Sequence, residues 1–471
     1  MNREHAEAFL LQLAEAELRR ATTGTADPRL RDECYSVRFE VTAQALHTVR
    51  AYDMAAADEI HAELALALGV RQTGQGGGLP PNAEAQLRRL SHKPPGPGAG
   101  RHWPPASRAP WHIRPLGQVI RDASGELHLM ASVRTPDRAW FTGVSYWGPD
   151  QEPIRHTAPP GVRLADRSTV TDDQGAGYQF STLGGWPGHE WSGVIEVSPA
   201  PPPAIRWLDV STAAGEPATR VDLGTPPDGA PQITVTPADV SPGELLLTDI
   251  AAGLLALTSP ERVPLHPSAV RADPLSEAAV GLGDIVAGLL ACGALPPSSR
   301  LPGQLAELCR RLGIDGHGIG APPDGDLPES WLSLLEYRRR GTPGRPPVPG
   351  WALGTAELPT FDDARVAVLG LHNGERGQFL HLLVSGVTPE YTTRYGTLGD
   401  RLPVVWLRDR DGRWHTARVA RSGRPRGTDD QVLWLRVVPP LDYGSADVDV
   451  VVTRPSAEVE VRLPLSWNGR P

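Results

Sequence analysis

Imidazole is the commonest protein ligand for zinc and the usual proton carrier near neutral pH, so the fourteen histidines are the first residues to weigh for chemistry. None stands in HxH or HxxxH spacing, and HExxH is absent. No short segment therefore presents a metal pair on one face by itself. His128 and His381 lie in similar stretches, Glu126–Ser132 (ELHLMAS) and Phe379–Ser385 (FLHLLVS). Strand alternation turns their flanking leucines inward and both histidines toward the less buried face, the expectation for structural surface histidines. Asp172 and Asp173 in TVTDDQGAGYQF, with Asp409 and Asp411 in LRDRDGRWHTARV, supply loop carboxylates of the kind that bind calcium. Asp and Gly are equally what a tight hairpin turn demands of its backbone, and the turn is the simpler expectation.

Other chemistries are excluded or weakened. Lys93 is the only lysine and lies in SHKPPGPG, a poor setting for a buried Schiff-base amine. The GxxxxGK[ST] phosphate loop is absent. Gly316, Gly318 and Gly320 in GIDGHGIGAPPDGD follow a helical segment and run into prolines, the reverse of the strand–loop–helix order of a dinucleotide fold. Ser385 and Ser422 are not in GxSxG, and Glu190 beside His189 has no partner in sequence that marks acid–base work. Cys34, Cys292 and Cys309 are too scattered for a disulfide framework or a CxxC knuckle. No catalytic, metal or cofactor residue is assigned, and no cofactor is expected.

Thirteen tryptophans remain as the most suggestive side chains. Trp103, Trp111, Trp140, Trp147, Trp186, Trp191 and Trp207 crowd one third of the chain. Many must fill cores, but aromatics beside turns also serve as anchors for protein or sugar contacts. Trp103, Trp186 and Trp191, together with the basic run Arg338, Arg339 and Arg340, are the candidate protein-binding residues. A cationic helix end complements the helix dipole, so the arginines have a structural reading too.

Charge is mildly acidic, a formal net of -9 with 46 Lys+Arg against 55 Asp+Glu. That balance argues against nucleic-acid and anionic-membrane partners, which call for a basic excess. The N-terminus, MNREHAEAFLLQLAEAELRR, is a charged amphipathic segment rather than a signal peptide, and no run of about 18 apolar residues occurs. A cytoplasmic protein outside the membrane is the expectation.

The elements that must position these residues alternate between helical and strand periods. Helical spacing marks 1–72, with Leu10, Leu13 and Leu18, then Ile60, Leu64 and Leu68 stopping at Gly69. A Pro/Gly-rich linker follows at 73–112, and short strands fill a β-sandwich at 113–225, some seven or eight of them with a hairpin at Thr169–Phe180. A linker at 226–240 leads to a second helical unit at 241–345. Ser241-Pro242-Gly243-Glu244 is a capping-box start there, Asp273-Pro274 opens a further helix, Leu305, Leu308 and Leu312 stop at Gly313, and Glu329–Arg340 closes the unit. A linker at 346–360 and a second sandwich at 361–466 complete the chain.

The two halves echo each other. In Glu190–Leu223 and Gln431–Leu465, Val197 matches Val437, Pro199 matches Pro439, Thr212 matches Thr453 and Arg220 matches Arg462, all roughly 240 positions apart. Leu64, Leu68 and Gly69 match Leu308, Leu312 and Gly313 at a similar offset. The fold expected is α+β: two antiparallel, Ig-like β-sandwiches, each preceded by a small helical unit, a tandem duplication.

TVTDDQGAGY, GGWPGHEW and PPPAIRWLDVSTAAGEPATRVDLG, with the helical ALHTVRAYDMAAADEIHAELALALGVRQ, resemble a family of uncharacterised proteins from GC-rich actinobacteria. The resemblance covers about residues 1–225 and implies no activity and no catalytic residues. The second copy departs from it, with ADVDV where the first has RWLD. Duplicated modules without a nucleophile, metal or phosphate signature point to a non-catalytic intracellular scaffold with a protein partner. A hydrolase with a site assembled between domains, and a carbohydrate-binding protein, are the alternatives. Nothing in the sequence sets the oligomeric state.

Overall fold

A computed structural model describes residues 109–146, 168–257, 282–340 and 350–468, apart from short internal stretches, with isolated positions between 162 and 167. The expected helical unit at 1–72 and nearly all of the 73–112 linker lie outside the described residues. What is described is two curled antiparallel sheets and a few helices.

The first sheet contains β1 (His112–Asp122), β2 (Gly125–Arg134), β3 (Ala139–Tyr146), β4 (Thr169–Asp172), β5 (Gly177–Leu183), β6 (Glu190–Ser198), β7 (Trp207–Ser211) and β8 (Thr219–Asp222). Their order across the sheet is β1-β2-β3-β6-β5-β4-β7-β8, curled so that the end strands β1 and β8 approach each other. The run β3-β6-β5-β4 is a Greek key. Period-two alternation fills the concave side with Leu127, Leu129, Phe141, Phe180, Trp191, Ile195, Leu208 and Val221.

β9 (Gln232–Pro237) leaves this sheet for the other, pairing with β20, so the 226–240 stretch is a strand where a linker was expected. Its Ile233 packs on the second core, which is why an apolar alternation interrupts the proline-rich sequence there.

Among the described residues four helices follow: α1 (Pro242–Leu257), α2 (Leu282–Ala291), α3 (Leu301–Leu312) and α4 (Glu329–Arg340). The capping box at α1 forms as expected. The Ser241 backbone N–H donates to Glu244 Oε2 at 3.0 Å, and the Glu244 N–H donates to Ser241 Oγ at 3.3 Å. Gly313 stops α3 in the left-handed conformation, φ 74°. Asp273-Pro274 lies outside the described residues, where the described helix begins later, at Leu282.

The second sheet contains β10 (Gly350–Leu353), β11 (Ala356–Glu357), β12 (Arg365–Gly374), β13 (Gly377–Ser385), β16 (Val404–Asp409), β17 (Trp414–Gly423), β18 (Gln431–Val438), β19 (Asp447–Thr453), β20 (Ala457–Pro464) and β21 (Ser466–Asn468), while β14 (Thr388–Thr393) and β15 (Gly396–Asp400) pair apart as a hairpin. β10 and β11 occupy the 346–360 stretch read as a linker; both hydrogen-bond to β12, and Trp351, Ala352 and Ala356 are buried there.

Eight of its strands run β10-β12-β13-β18-β17-β16-β19-β20, the connection order of the first sheet. The registers agree in detail. Bulges interrupt β2 between Leu129 and Ala131 and β12 between Val368 and Gly370. The Ser198–Pro199 and Val438–Pro439 bonds are both cis. This placement corrects the match between ELHLMAS and FLHLLVS: the first is the second strand of its path, the second the third. Thr142, not His128, stands where His381 stands, since Ala131 faces Thr142 and Gly370 faces His381.

The convex faces of β2, β3 and β6 pack on those of β12, β13 and β18. Ala131, Val133, Trp140 and Val194 meet Ala367, Leu369, Phe379, Leu383, Val432 and Trp434 in one buried seam. Around β16 and β17 the helices dock: Arg418 of β17 pairs with Asp249 of α1 at 3.0 Å, and Ser333 of α4 accepts the Trp414 backbone N–H at 3.0 Å. Gly253 leaves room for the first contact: a Cβ there would lie 2.7 Å from Arg418 Nη1, so the guanidinium would have to shift.

Ser241→Ala removes one half of the α1 capping box and is expected to cost about 1 kcal/mol, read as a shift of the denaturant midpoint at unchanged m.

Candidate functional site

The outer face of β7 and β8 carries an ordered aromatic–ion ladder. Asp209 faces Arg220 directly across the strand pair. Arg220 donates from Nε to Asp209 Oδ1 at 3.0 Å and from Nη2 to Oδ2 at 3.3 Å. Its guanidinium carbon lies 4.5 Å from the centre of the Trp207 ring. Two-point pairing and stacking fix a long side chain that is 61% exposed. Hydrogen bonding to Asp209 raises the Arg220 pKa, so the guanidinium is a permanent cation.

The same pair recurs on β19 and β20. Asp449 faces Arg462 in register, with Arg462 Nε–H to Asp449 Oδ1 at 2.8 Å and Nη2–H to Oδ2 at 3.1 Å. Here Asp449 is nearly buried because Arg408 joins it at 3.0 Å while also reaching Glu460 at 2.6 Å. Burial alone would raise the Asp449 pKa, but hydrogen bonds from Arg462 and Arg408 outweigh it and leave it lowered. The second ladder is therefore a closed ion network, and the first is open to contact.

A second set of polar groups lies in the seam. At one end the Tyr146 hydroxyl sits 3.1 Å from the Gly350 carbonyl and 2.9 Å from that of Asn373, both on the opposite sheet. Burial, then the Glu190 charge, hold its pKa well above the ordinary value, so it stays a neutral donor. Glu190 lies directly over Gly374, where any side chain would collide with its carboxylate. At the other end Trp111 Nε1–H donates to Asp430 at 3.4 Å, and the Arg365 guanidinium stacks 3.9 Å from the Trp111 ring. Along the seam Trp351 Nε1–H donates to His128 Nδ1 at 3.0 Å. His372 Nδ1 and His381 Nε2 are 2.5 Å apart.

The sequence-predicted residues scatter. Trp103 and Trp186 lie outside the described residues. Trp191 is 3% exposed in the core of the first sheet, folded back over Gly193, so it offers a partner no surface; its alternation with Ile195 and Val197 turns it inward. Arg339 and Arg340 are exposed at the end of α4, and Arg338 is partly buried, its Nη1 3.5 Å from the Leu312 carbonyl of α3. Among the described residues, buried Trp191 and the α4 arginines do not form one patch. His381 is fully buried rather than on an open face, because β13 is covered on both sides. His128 is mostly buried in the same seam.

Asp172 and Asp409 are turn residues. Asp172 Oδ1 accepts the N–H groups of Gln174 and Ala176 at 2.8 Å, and Tyr178 O–H donates to Oδ2 at 2.7 Å. Asp409 Oδ1 accepts the Arg413 N–H at 2.8 Å, with His415 standing where Tyr178 stands in the other hairpin. Asp411 pairs with Arg413 at 3.1 Å, and Asp173 is exposed at its turn. Cys309 is buried, which pushes its thiol up to about 12 and makes it a poor nucleophile. Among the described residues no three His, Cys, Asp or Glu side chains gather as a metal site, and no helix is long and apolar enough to cross a membrane.

Sequence reasoning missed two features. The Arg220–Arg462 match is legible, but setting RWLD against ADVDV as a departure hides the facing aspartates, Asp209 and Asp449, which hold the same register position. His372 was not weighed; in the hairpin HNGERGQFLH it faces Phe379, which makes His381 its diagonal neighbour.

Comparison with protein-family models, with characterised proteins and with solved structures found no match.

The two ladders differ in burial, and the difference is measurable. Asp209→Ala is expected to cost under about 1 kcal/mol. Asp449→Ala, which strips charged hydrogen bonds from two arginines, is expected to cost about 2 kcal/mol in the same denaturation assay.

Proposed function

We propose that this chain is a non-catalytic, cytoplasmic protein-binding scaffold built by tandem duplication of a unit of roughly 240 residues, each unit ending in an Ig-like sandwich module. The shared strand order, the paired bulges, the cis Pro199 and Pro439 and the recurring Asp–Arg pairs support the duplication. A duplicated module is free to keep one copy structural while the other takes contacts, and the two ladders differ in that sense.

The observation that carries the binding role is the Trp207–Arg220–Asp209 ladder. Tryptophan and arginine dominate the energetic centres of protein interfaces, since each brings large contact area with directed polar groups. Arg220 is held in place before any partner arrives, so less side-chain entropy is lost on contact. The charge pair makes the patch selective for a partner that places an acceptor near the guanidinium and an apolar group on the indole.

The test is affinity capture with the full chain from its native host, quantified by mass spectrometry, alongside light scattering on a sizing column. One stoichiometric protein partner is expected, with capture reduced at least about tenfold by Trp207→Ala combined with Arg220→Ala. Circular dichroism must show the variant folded. Capture that survives both substitutions, or the absence of any stoichiometric partner, contradicts the reading.

A further inference from the structure

Three histidines lie on the faces that the two sheets turn toward each other. His128 is on β2 of the first sheet, beside the Met130, Val144 and Trp351 cluster. His372 and His381 are on β12 and β13 of the second, between Phe379, Leu383 and Trp434 of the seam. Both are fully buried. Their surroundings disfavour charged rings.

An indole N–H can only donate. The 3.0 Å contact from Trp351 Nε1 therefore needs a lone pair on His128 Nδ1. Protonation would put a second N–H where that lone pair is and set two donors against each other across the seam. The 2.5 Å approach of His372 Nδ1 to His381 Nε2 has room for one proton between them. The outward nitrogens, His372 Nε2 and His381 Nδ1, are buried with no hydrogen-bond partner among the described residues, so an added proton would find no acceptor.

The charged surroundings do not rescue them. His128 has Glu126 at 3.5 Å from Nε2, but that carboxylate is shared with Arg121 at 2.8 Å; the neutral Tyr146 ring lies edge-on to it. The aromatic neighbours of His372 and His381 are Phe379, Trp434 and each other. Burial lowers all three pKa values, His372 to about 3; His381 is held well below its ordinary value by burial first and by His372 second.

We propose that the seam is an acid-released clamp, in which protonation of His128, His372 and His381 parts the two sheets while each keeps its own core. The sign follows from linkage. A histidine whose pKa is depressed in the closed state stabilises that state fully above the ordinary value of 6.5, and that stabilisation is lost as pH falls below it. Each such histidine shifts the closed-to-open ratio by about tenfold per pH unit below that point. The open state then exposes Trp140, Phe379 and Trp434, now buried.

Hydrogen exchange of the full chain at pH 7.5 and 5.0, corrected for intrinsic exchange rates, tests the clamp. The expected result is loss of protection at pH 5.0 confined to β2, β3, β6, β12, β13 and β18, with β7, β8, β19 and the helices still protected. Unchanged protection of the seam strands overturns the proposal, and so does uniform loss across both sheets. His128→Gln, which keeps an acceptor without the titration, combined with His372→Val and His381→Thr, the residues at the corresponding first-sheet positions, is expected to abolish the acid response. If the response persists in that variant, the seam carboxylates Glu190 and Asp430 carry it and the proposal fails. Should the variant not fold, histidine Cε1–H resonances of the unsubstituted chain decide: midpoints at or above 6.5 contradict the clamp, and depressed midpoints support it.

Discussion

Everything described in this chain depends on one packing constraint: each sheet has two apolar faces and must bury both. The concave faces close on themselves, around Phe141, Phe180 and Trp191 in one sheet and Leu382, Leu407 and Leu435 in the other. The convex faces of β2–β3–β6 and β12–β13–β18 cannot do so, and they bury each other. A large apolar side chain fully buried is worth about 1.5–3 kcal/mol, against about 0–1 kcal/mol for a surface ion pair. Trp140, Phe379 and Trp434 thus outweigh the exposed Arg–Asp contacts, and the seam rather than the surface charge sets how the halves are held. The helices serve the same need elsewhere, docking on β16 and β17, where β16 presents Val404 and Trp406 on the face away from its own core.

The polar groups of the seam are consistent with that constraint and explain its register. Tyr146 reaches the Gly350 and Asn373 carbonyls, and Trp111 reaches Asp430, at opposite ends. Glu190 opens β6 and Asp430 immediately precedes β18, at the 240-residue offset that also relates Val197 to Val437. Each end of the seam therefore carries one carboxylate of one sheet against the other, as a two-fold arrangement of related surfaces requires. Gly374 is part of this design, since any Cβ there would displace Glu190. Such groups contribute little net stability but penalise a slipped docking, because a slip would bury them without partners.

Much of the local structure was legible. The hairpin at Asp172, the capping box at Ser241, the stop at Gly313 and the limits of α4 follow from short-range chemistry that a single sequence displays. Val197 with Val437, Pro199 with Pro439 and Arg220 with Arg462 coincide in the strand registers, while Thr453 falls one place beyond the position of Thr212. What was not legible is long-range. β9 and β10 are short strands in proline- and glycine-rich sequence that exist because a distant strand offers them an edge. His381 is misplaced because alternation identifies two faces of a strand but not whether the second face meets water or another sheet; Trp191 is misplaced because its position beside a turn outweighs an alternation with Ile195 and Val197 that turns it inward. The Trp207 ladder needed the β7–β8 register, which no local pattern prints.

At neutral pH the seam couples the two sheets into one cooperative body. The most direct measurement is hydrogen exchange on Phe379→Ala, a substitution confined to the second sheet, read in the first. Faster exchange is expected in β2, β3 and β6 together with β13 and β18, because Trp140 and Val194 lose a packing partner. Exchange that rises only within the second sheet, with the first unchanged, would contradict this coupling.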